Sequence, residues 1–128
     1  MRVLIIDDEF IQIDYLKTQL GRYLPEIEVV ESFQNPIEAL KFLQKNEVDL
    51  IFLDVMMPEM NGFEFIEIVG TDNLPAVIFT TAHTEYAIKA FKVNAVDYLL
   101  KPVDKDELIN SVKKVNLRTR IVQADTLK

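Results

Sequence analysis

Five short apolar runs, each followed by an amphipathic stretch, set the tightest limit on how this chain of 128 residues can fold. The first run, Val3 to Ile6, ends at Asp7, and Ile13, Leu16, Leu20 and Leu24 then recur at helical spacing. The second, "IEVVESF", is followed by Asn35, Pro36 and Glu38, which read as N-cap, first-turn proline and capping-box acid of a helix carrying Leu40 and Leu43. The third is "DLIFLD"; after it Gly62 precedes a short helix through Phe63 and Ile66 that Gly70 closes before Pro75 resets the chain. The fourth is "AVIFTT", with Thr84 as the cap of a helix through Ala87 and Phe91. The fifth is "AVDYLL", and Asp104 with Glu107 forms a second capping box for a helix holding Leu108, Val112 and Val115.

Five βα units predict an α/β fold with a parallel sheet and helices on both faces, because each parallel return needs a crossover of fixed hand. The runs "VLII", "LIFL" and "AVIF" suit strands buried on both faces. A hydrophobic content of 49% is enough for one core in one domain. No internal repeat or low-complexity segment interrupts it. The formal net charge of -7 argues against gripping nucleic acid or an anionic membrane directly, since both depend on clustered Lys and Arg. Without cysteine there is no thiolate metal site, and no apolar run is long enough to span a bilayer. The N-terminus meets acids before any signal-peptide core forms, so the expectation is a soluble, cytoplasmic chain.

Open parallel sheets bind ligands at the carboxyl ends of their strands, where strand order reverses. Here those ends carry Asp7 and Asp8, then Asp54, then Thr80 and Thr81, then Lys101. Three clustered carboxylates favour an oxygen-loving divalent cation such as Mg²⁺ over zinc. A cation, an ammonium and a hydroxyl on one rim can neutralise a phosphoryl group in transfer, which leaves a carboxylate as nucleophile. That explains why "LIFLDVMMPEMNG" delivers a charge, Asp54, to the edge of the core. Taken singly, each residue has a blander use. Asp7 and Asp8 can start a helix, Asp54 can be an ordinary strand-end acid, Thr81 a β-former and Lys101 a solvated charge. Only their conjunction points to chemistry. Met56, Met57 and Met60 read as gap-filling core beside a turn rather than a soft metal site. Phe91 and Tyr86 fit either core or partner surface.

The blocks "VLIIDDE", "LDVMMPEMNG", "FTTA" and "DYLLKP", in that order, resemble the receiver domain of bacterial two-component response regulators over nearly the whole chain. The resemblance implies a flavodoxin-like (βα)5 doubly wound sheet of order 2-1-3-4-5, with residues 1–117 as receiver and 118–128 as the end of the last helix and a linker. It further implies an acidic pair at Asp7 and Asp8, a phosphoacceptor at Asp54, a metal-binding backbone carbonyl at Met56, a switch hydroxyl at Thr81, a switch aromatic at Tyr98 and an active-site lysine at Lys101. Mg²⁺ is the implied cofactor and a sensor histidine kinase the implied partner. The wording of "FTTAHTEYAIKAFKVNAVDYLLKP" is most similar to regulators with a LytTR-type DNA-binding output, so contact with DNA is expected through a further domain. His83, two residues past Thr81, either modulates attack on the phosphoryl bond or is a plain loop histidine. Resemblance also leads to a cis Lys101–Pro102 bond, and to a homodimer or partner contact through the fourth helix, fifth strand and fifth helix.

Two rivals share parts of this pattern. A haloacid-dehalogenase-like phosphohydrolase needs a second acid two residues past its nucleophile, and Met56 stands there. A pseudo-receiver would lack site residues, and all are present. A flavin binder of the same fold would carry a Gly- or Ser-rich phosphate loop after the first strand, which is missing here.

Overall fold

The structure, a computed structural model, describes residues 1–70, 72 and 74–126, with side chains to Arg118. Strands and helices alternate: β1 (Arg2–Ile6), α1 (Phe10–Tyr23), β2 (Glu28–Phe33), α2 (Pro36–Leu43), β3 (Leu50–Asp54), α3 (Gly62–Val69), β4 (Ala76–Thr81), α4 (Ala87–Lys92), β5 (Asp97–Leu100) and α5 (Lys105–Thr126). All five strands are parallel, in the order β2-β1-β3-β4-β5. Both the fold class and the strand order agree with the reading of the sequence.

Strand periodicity divides the core into two layers. Val3, Ile5, Phe52, Ile78 and Leu99 face α1 and α5, where they meet Ile13, Leu16, Leu20, Leu108, Val112 and Val115. Leu4, Ile6, Ile51, Leu53, Val77 and Phe79 face α2, α3 and α4, against Ala39, Phe63, Phe65, Ile66 and Ala90. β3 is buried at all five positions, as its uninterrupted apolar run requires.

Local signals set the helix ends. Asn35 accepts from the Ile37 N–H with Pro36 at the first helical position. Asn61 and Glu64 form a reciprocal capping box on α3, and Gly70 ends that helix at φ 82°. Asp104 accepts from the Asp106 and Glu107 N–H groups at the start of α5. Thr84 does not cap α4 with its side chain. That helix begins at Ala87 after an uncapped Tyr86, and Thr84 offers only its carbonyl to the Ala87 N–H. The backbone of α5 is helical to Thr126, whereas residues 127 and 128 of the expected linker lie outside the described residues. Among the described residues, no helix is long and apolar enough to cross a membrane.

Candidate functional site

Sheet order determines which residues can meet. The reversal lies between β1 and β3, whose outgoing helices, α1 and α3, pack on opposite faces and leave a crevice at the carboxyl edge. Asp7, one residue past β1, and Asp54, last in β3, flank that crevice. Counting by twos along the strands places Asp7 in line with Ile5, Asp54 with Phe52, Thr80 with Ile78 and Lys101 with Leu99, all toward α1 and α5. Thr81 points to the opposite layer.

Asp7, Asp8, Asp54 and Lys101 come together at this edge. Lys101 Nζ lies 2.7 Å from Asp7 Oδ2 and 3.2 Å from Asp54 Oδ2, with all three side chains buried. Asp7, Asp8 and Asp54 each bring one carboxylate oxygen within 4.8 Å of the others. Asp8 Oδ1 is buried and, among the described residues, has no hydrogen-bond partner. A buried carboxylate oxygen left unpaired beside two other acids suits a hard divalent cation, and oxygen-only donors match the preference of Mg²⁺. The acidic cluster therefore fits a metal of that class. Lys101 precedes a cis peptide to Pro102, and its N–H donates to the Thr81 carbonyl at 2.8 Å.

Burial, and then the charge of Asp7, push the Asp54 carboxyl up to about 6, against the opposing pull of Lys101 and the Met56 N–H. Burial by itself would lower the Lys101 ammonium, but the hydrogen bond to Asp7 and the charges of Asp7 and Asp54 outweigh it and hold the group above its ordinary value. In chelator, a carboxyl raised in the folded state contributes stability that is fully present below about pH 4 and is lost as pH rises through about 6. Asp54→Asn should lack that loss. Its stability advantage over the wild type, measured by denaturant unfolding in chelator, should widen between pH 4 and 7; a constant difference would contradict this electrostatic picture.

The neighbouring positions divide by role. Met56 donates its N–H to Asp54 Oδ1 at 3.3 Å while its side chain is exposed, and Met57 and Met60 pack into the second core layer. His83 is exposed, with Nδ1 3.1 Å from Glu85 Oε1. Its backbone joins two of the predicted residues: the N–H donates to Thr81 Oγ1 at 3.3 Å, and the carbonyl accepts the Tyr98 hydroxyl. Sequence reasoning missed that link, because it depends on the path of the β4–α4 loop. It also missed Gly62, whose closeness to Asp54 gave no signal beyond a glycine after a turn. Tyr86 is partly buried, whereas Phe91 is exposed on α4.

Comparison with known proteins agrees with this geometry. Residues 3–113 match the family model described as the response regulator receiver domain. An uncharacterized response regulatory protein of Shewanella oneidensis is 42% identical over 112 residues, which cover 88% of this chain and 47% of that protein. The sensory transduction protein LytT of Bacillus anthracis is 40% identical over 115 residues, covering 89% of this chain and 46% of LytT. The chain thus spans about half the length of these curated relatives. Among solved structures, the response regulatory domain of protein mrkE from Klebsiella pneumoniae superposes with a TM-score of 0.82 at 35% identity, covering 92% of this chain and 97% of the other. The receiver domain of AraT from Geobacillus stearothermophilus also gives 0.82, at 32% identity, covering 95% and 97%. With its five-stranded order, its acidic crevice and a family match across 3–113, this chain belongs to the response regulator receiver domains, the phosphorylation-dependent signalling modules of two-component systems.

Proposed function

We propose that Asp54 accepts a phosphoryl group from a histidine kinase and that the resulting acyl phosphate switches an output carried by a longer protein. The observation that supports this most strongly is the convergence of Lys101 on both Asp7 and Asp54 at the sheet's switch point. In the transfer, an Asp54 carboxylate oxygen attacks phosphorus as the bond to the donor nitrogen breaks, and the bonding pair leaves with the imidazole. Lys101 then pairs with a phosphoryl oxygen, and the Thr81 hydroxyl donates to another. Asp7, Asp8, Asp54 and the Met56 carbonyl are the groups that would hold Mg²⁺, which when bound supplies charge neutralisation for the carboxylates and the phosphoryl oxygens. The domain is a signalling switch that assists its own phosphorylation and its dephosphorylation by water, with Met56 and His83 as modulators of that access.

The signal leaves through Thr81 and Tyr98, which share the backbone of His83. A rearranged Thr81 hydroxyl releases or tightens the Tyr98 contact and biases the surface of α4, β5 and α5. Ile88, Phe91, Leu100 and Leu117 are exposed there, which favours self-association or a partner through that face. Residues 1–117 form the receiver and 118–128 connect it to an output, read from the LytTR-type wording of residues 79–102 as DNA-binding and transcriptional, in a cytoplasmic protein. Sedimentation with and without a phosphoryl mimic tests the dimer, and an unchanged monomer at high concentration counts against it.

Metal dependence gives a separate test. Asp8→Asn should weaken Mg²⁺ binding by about tenfold or more in a thermal-shift titration, because one charged oxygen donor is lost. Excess Mg²⁺ should recover adduct formation with acetyl phosphate. Unchanged Mg²⁺ affinity in Asp8→Asn would remove Asp8 from the metal site.

A further inference from the structure

Thr80 has no part in the mechanism above, yet it is the β3–β4 register partner of Asp54 and lies on the same side of the sheet. The residue is 4% exposed, and among the described residues its hydroxyl has no hydrogen-bond partner in the protein. The oxygen is not among the buried atoms left without a partner, so part of the small surface that Thr80 keeps belongs to it, and water is the partner within its reach. The place where it can find one is a cavity of about 10 Å³ walled by Asp7, Gln12, Tyr15, Thr80, Lys101 and Val103. That volume admits the centre of about one water molecule.

Lys101 has the matching deficit. An ammonium carries three donors, and two of them are directed to Asp7 Oδ2 and Asp54 Oδ2. The third belongs to a buried side chain that also lines this cavity. A water in the cavity can accept from Lys101 Nζ and bond Thr80 Oγ1, which satisfies both groups at once. Tyr15 helps close the wall, its hydroxyl donating to the Val103 carbonyl at 3.0 Å and tying α1 to the segment after Lys101.

We infer that Thr80 is a positioning residue for Lys101, acting through one buried water held between Thr80 Oγ1, Lys101 Nζ and the Asp7 side of the cavity. By anchoring the ammonium from behind, this arrangement sets the direction in which Lys101 presents its charge to Asp54. The kinetic part rests on the proposed phosphoacceptor role of Asp54; the water site stands on the cavity and its donors alone.

Two substitutions separate the hydroxyl from the shape. Thr80→Val keeps the volume and removes the hydrogen bond, while Thr80→Ser keeps the hydroxyl. A high-resolution crystal structure of the wild-type domain should contain a water within hydrogen-bonding distance of Thr80 Oγ1 and Lys101 Nζ, and Thr80→Val should lose it. With acetyl phosphate and Mg²⁺, Thr80→Val should form the Asp54 adduct about tenfold more slowly at saturating donor, the effect of one hydrogen bond in a charged network. The half-saturating donor concentration should hold, and Thr80→Ser should recover the rate to within about twofold. No water in the wild type, a wild-type rate in Thr80→Val, or failure of Thr80→Ser to restore it would each overturn the inference. If wild-type protein formed no adduct, the phosphoacceptor reading would fall, and the crystallographic comparison would still decide the water site.

Discussion

Gly62→Ala is expected to destabilise the domain by about 2–3 kcal/mol and to slow phosphorylation of Asp54, although neither Gly62 nor its substitute touches the phosphoryl group. A Cβ at Gly62 would stand 2.7 Å from the Asp54 carbonyl oxygen, 3.0 Å from Phe79 Cε1 and 3.3 Å from Leu53 Cγ. The nearest of these is backbone in a strand paired on both sides, so it cannot retreat as a side chain tip could. Moving α3 away instead would break the bond from the Gly62 N–H to the Val55 carbonyl, which closes the loop after Asp54 at 2.8 Å. Gly21 serves as the internal control. It lies within α1, and a Cβ there meets nothing within 4 Å, so Gly21→Ala should stabilise by about 0.5–1 kcal/mol through helix propensity alone. Denaturant midpoints of opposite sign for the two variants are the expected result; a stabilised Gly62→Ala would contradict the packing described here.

Lys101→Ala should slow adduct formation by about 100-fold, a usual consequence of removing one preorganised charge from a transfer site. In chelator it should also cost about 3 kcal/mol, because the buried carboxylates of Asp7 and Asp54 lose the ammonium that pairs with both. Saturating Mg²⁺ should return most of that stability, since a cation bound by the same oxygens replaces the lost charge, yet it should not return the rate. Unfolding curves with and without metal, beside adduct kinetics, separate these effects. Equal stability loss under both conditions would mean that Lys101 contributes through packing rather than charge.

The fold was legible because each level of the sequence agreed with the next. Apolar runs without alternation identified buried strands, and helical spacing with Asn35, Pro36, Gly70 and Asp104 marked most helix ends. The site was legible for a related reason: strand ends are easy to locate, so the side chains of Asp7, Asp54, Thr81 and Lys101 could be assigned to one edge. What escaped depends on the path of loops. Thr84 has the composition of a cap, but the β4–α4 segment turns so that only its carbonyl reaches α4. The bridging of Thr81 and Tyr98 by the backbone of His83 has no side-chain signature. Gly62 looked like a turn residue because nothing in one dimension reports that its Cα approaches the backbone of Asp54. Asp7 and Asp8 looked equivalent, yet one is salt-bridged and buried while the other keeps an unpaired oxygen. The contrast between Thr80 and Thr81 needs no loop path, because the alternation of side chains along β4 sends adjacent residues to opposite faces of the sheet.

The central claim, that Asp54 is a metal-assisted phosphoacceptor, is tested most directly by intact-protein mass after incubation with acetyl phosphate. Wild-type protein with Mg²⁺ should gain the mass of one phosphoryl group, because Lys101, the metal and a positioned carboxylate supply the electrostatics without a kinase. Asp54→Asn should gain none, and chelator should suppress the wild-type adduct. A phosphohydrolase would release phosphate with rapid turnover instead, and a domain without phosphoacceptor chemistry would keep its mass under every condition. An adduct that persists in Asp54→Asn, or forms equally well in chelator, would contradict the account.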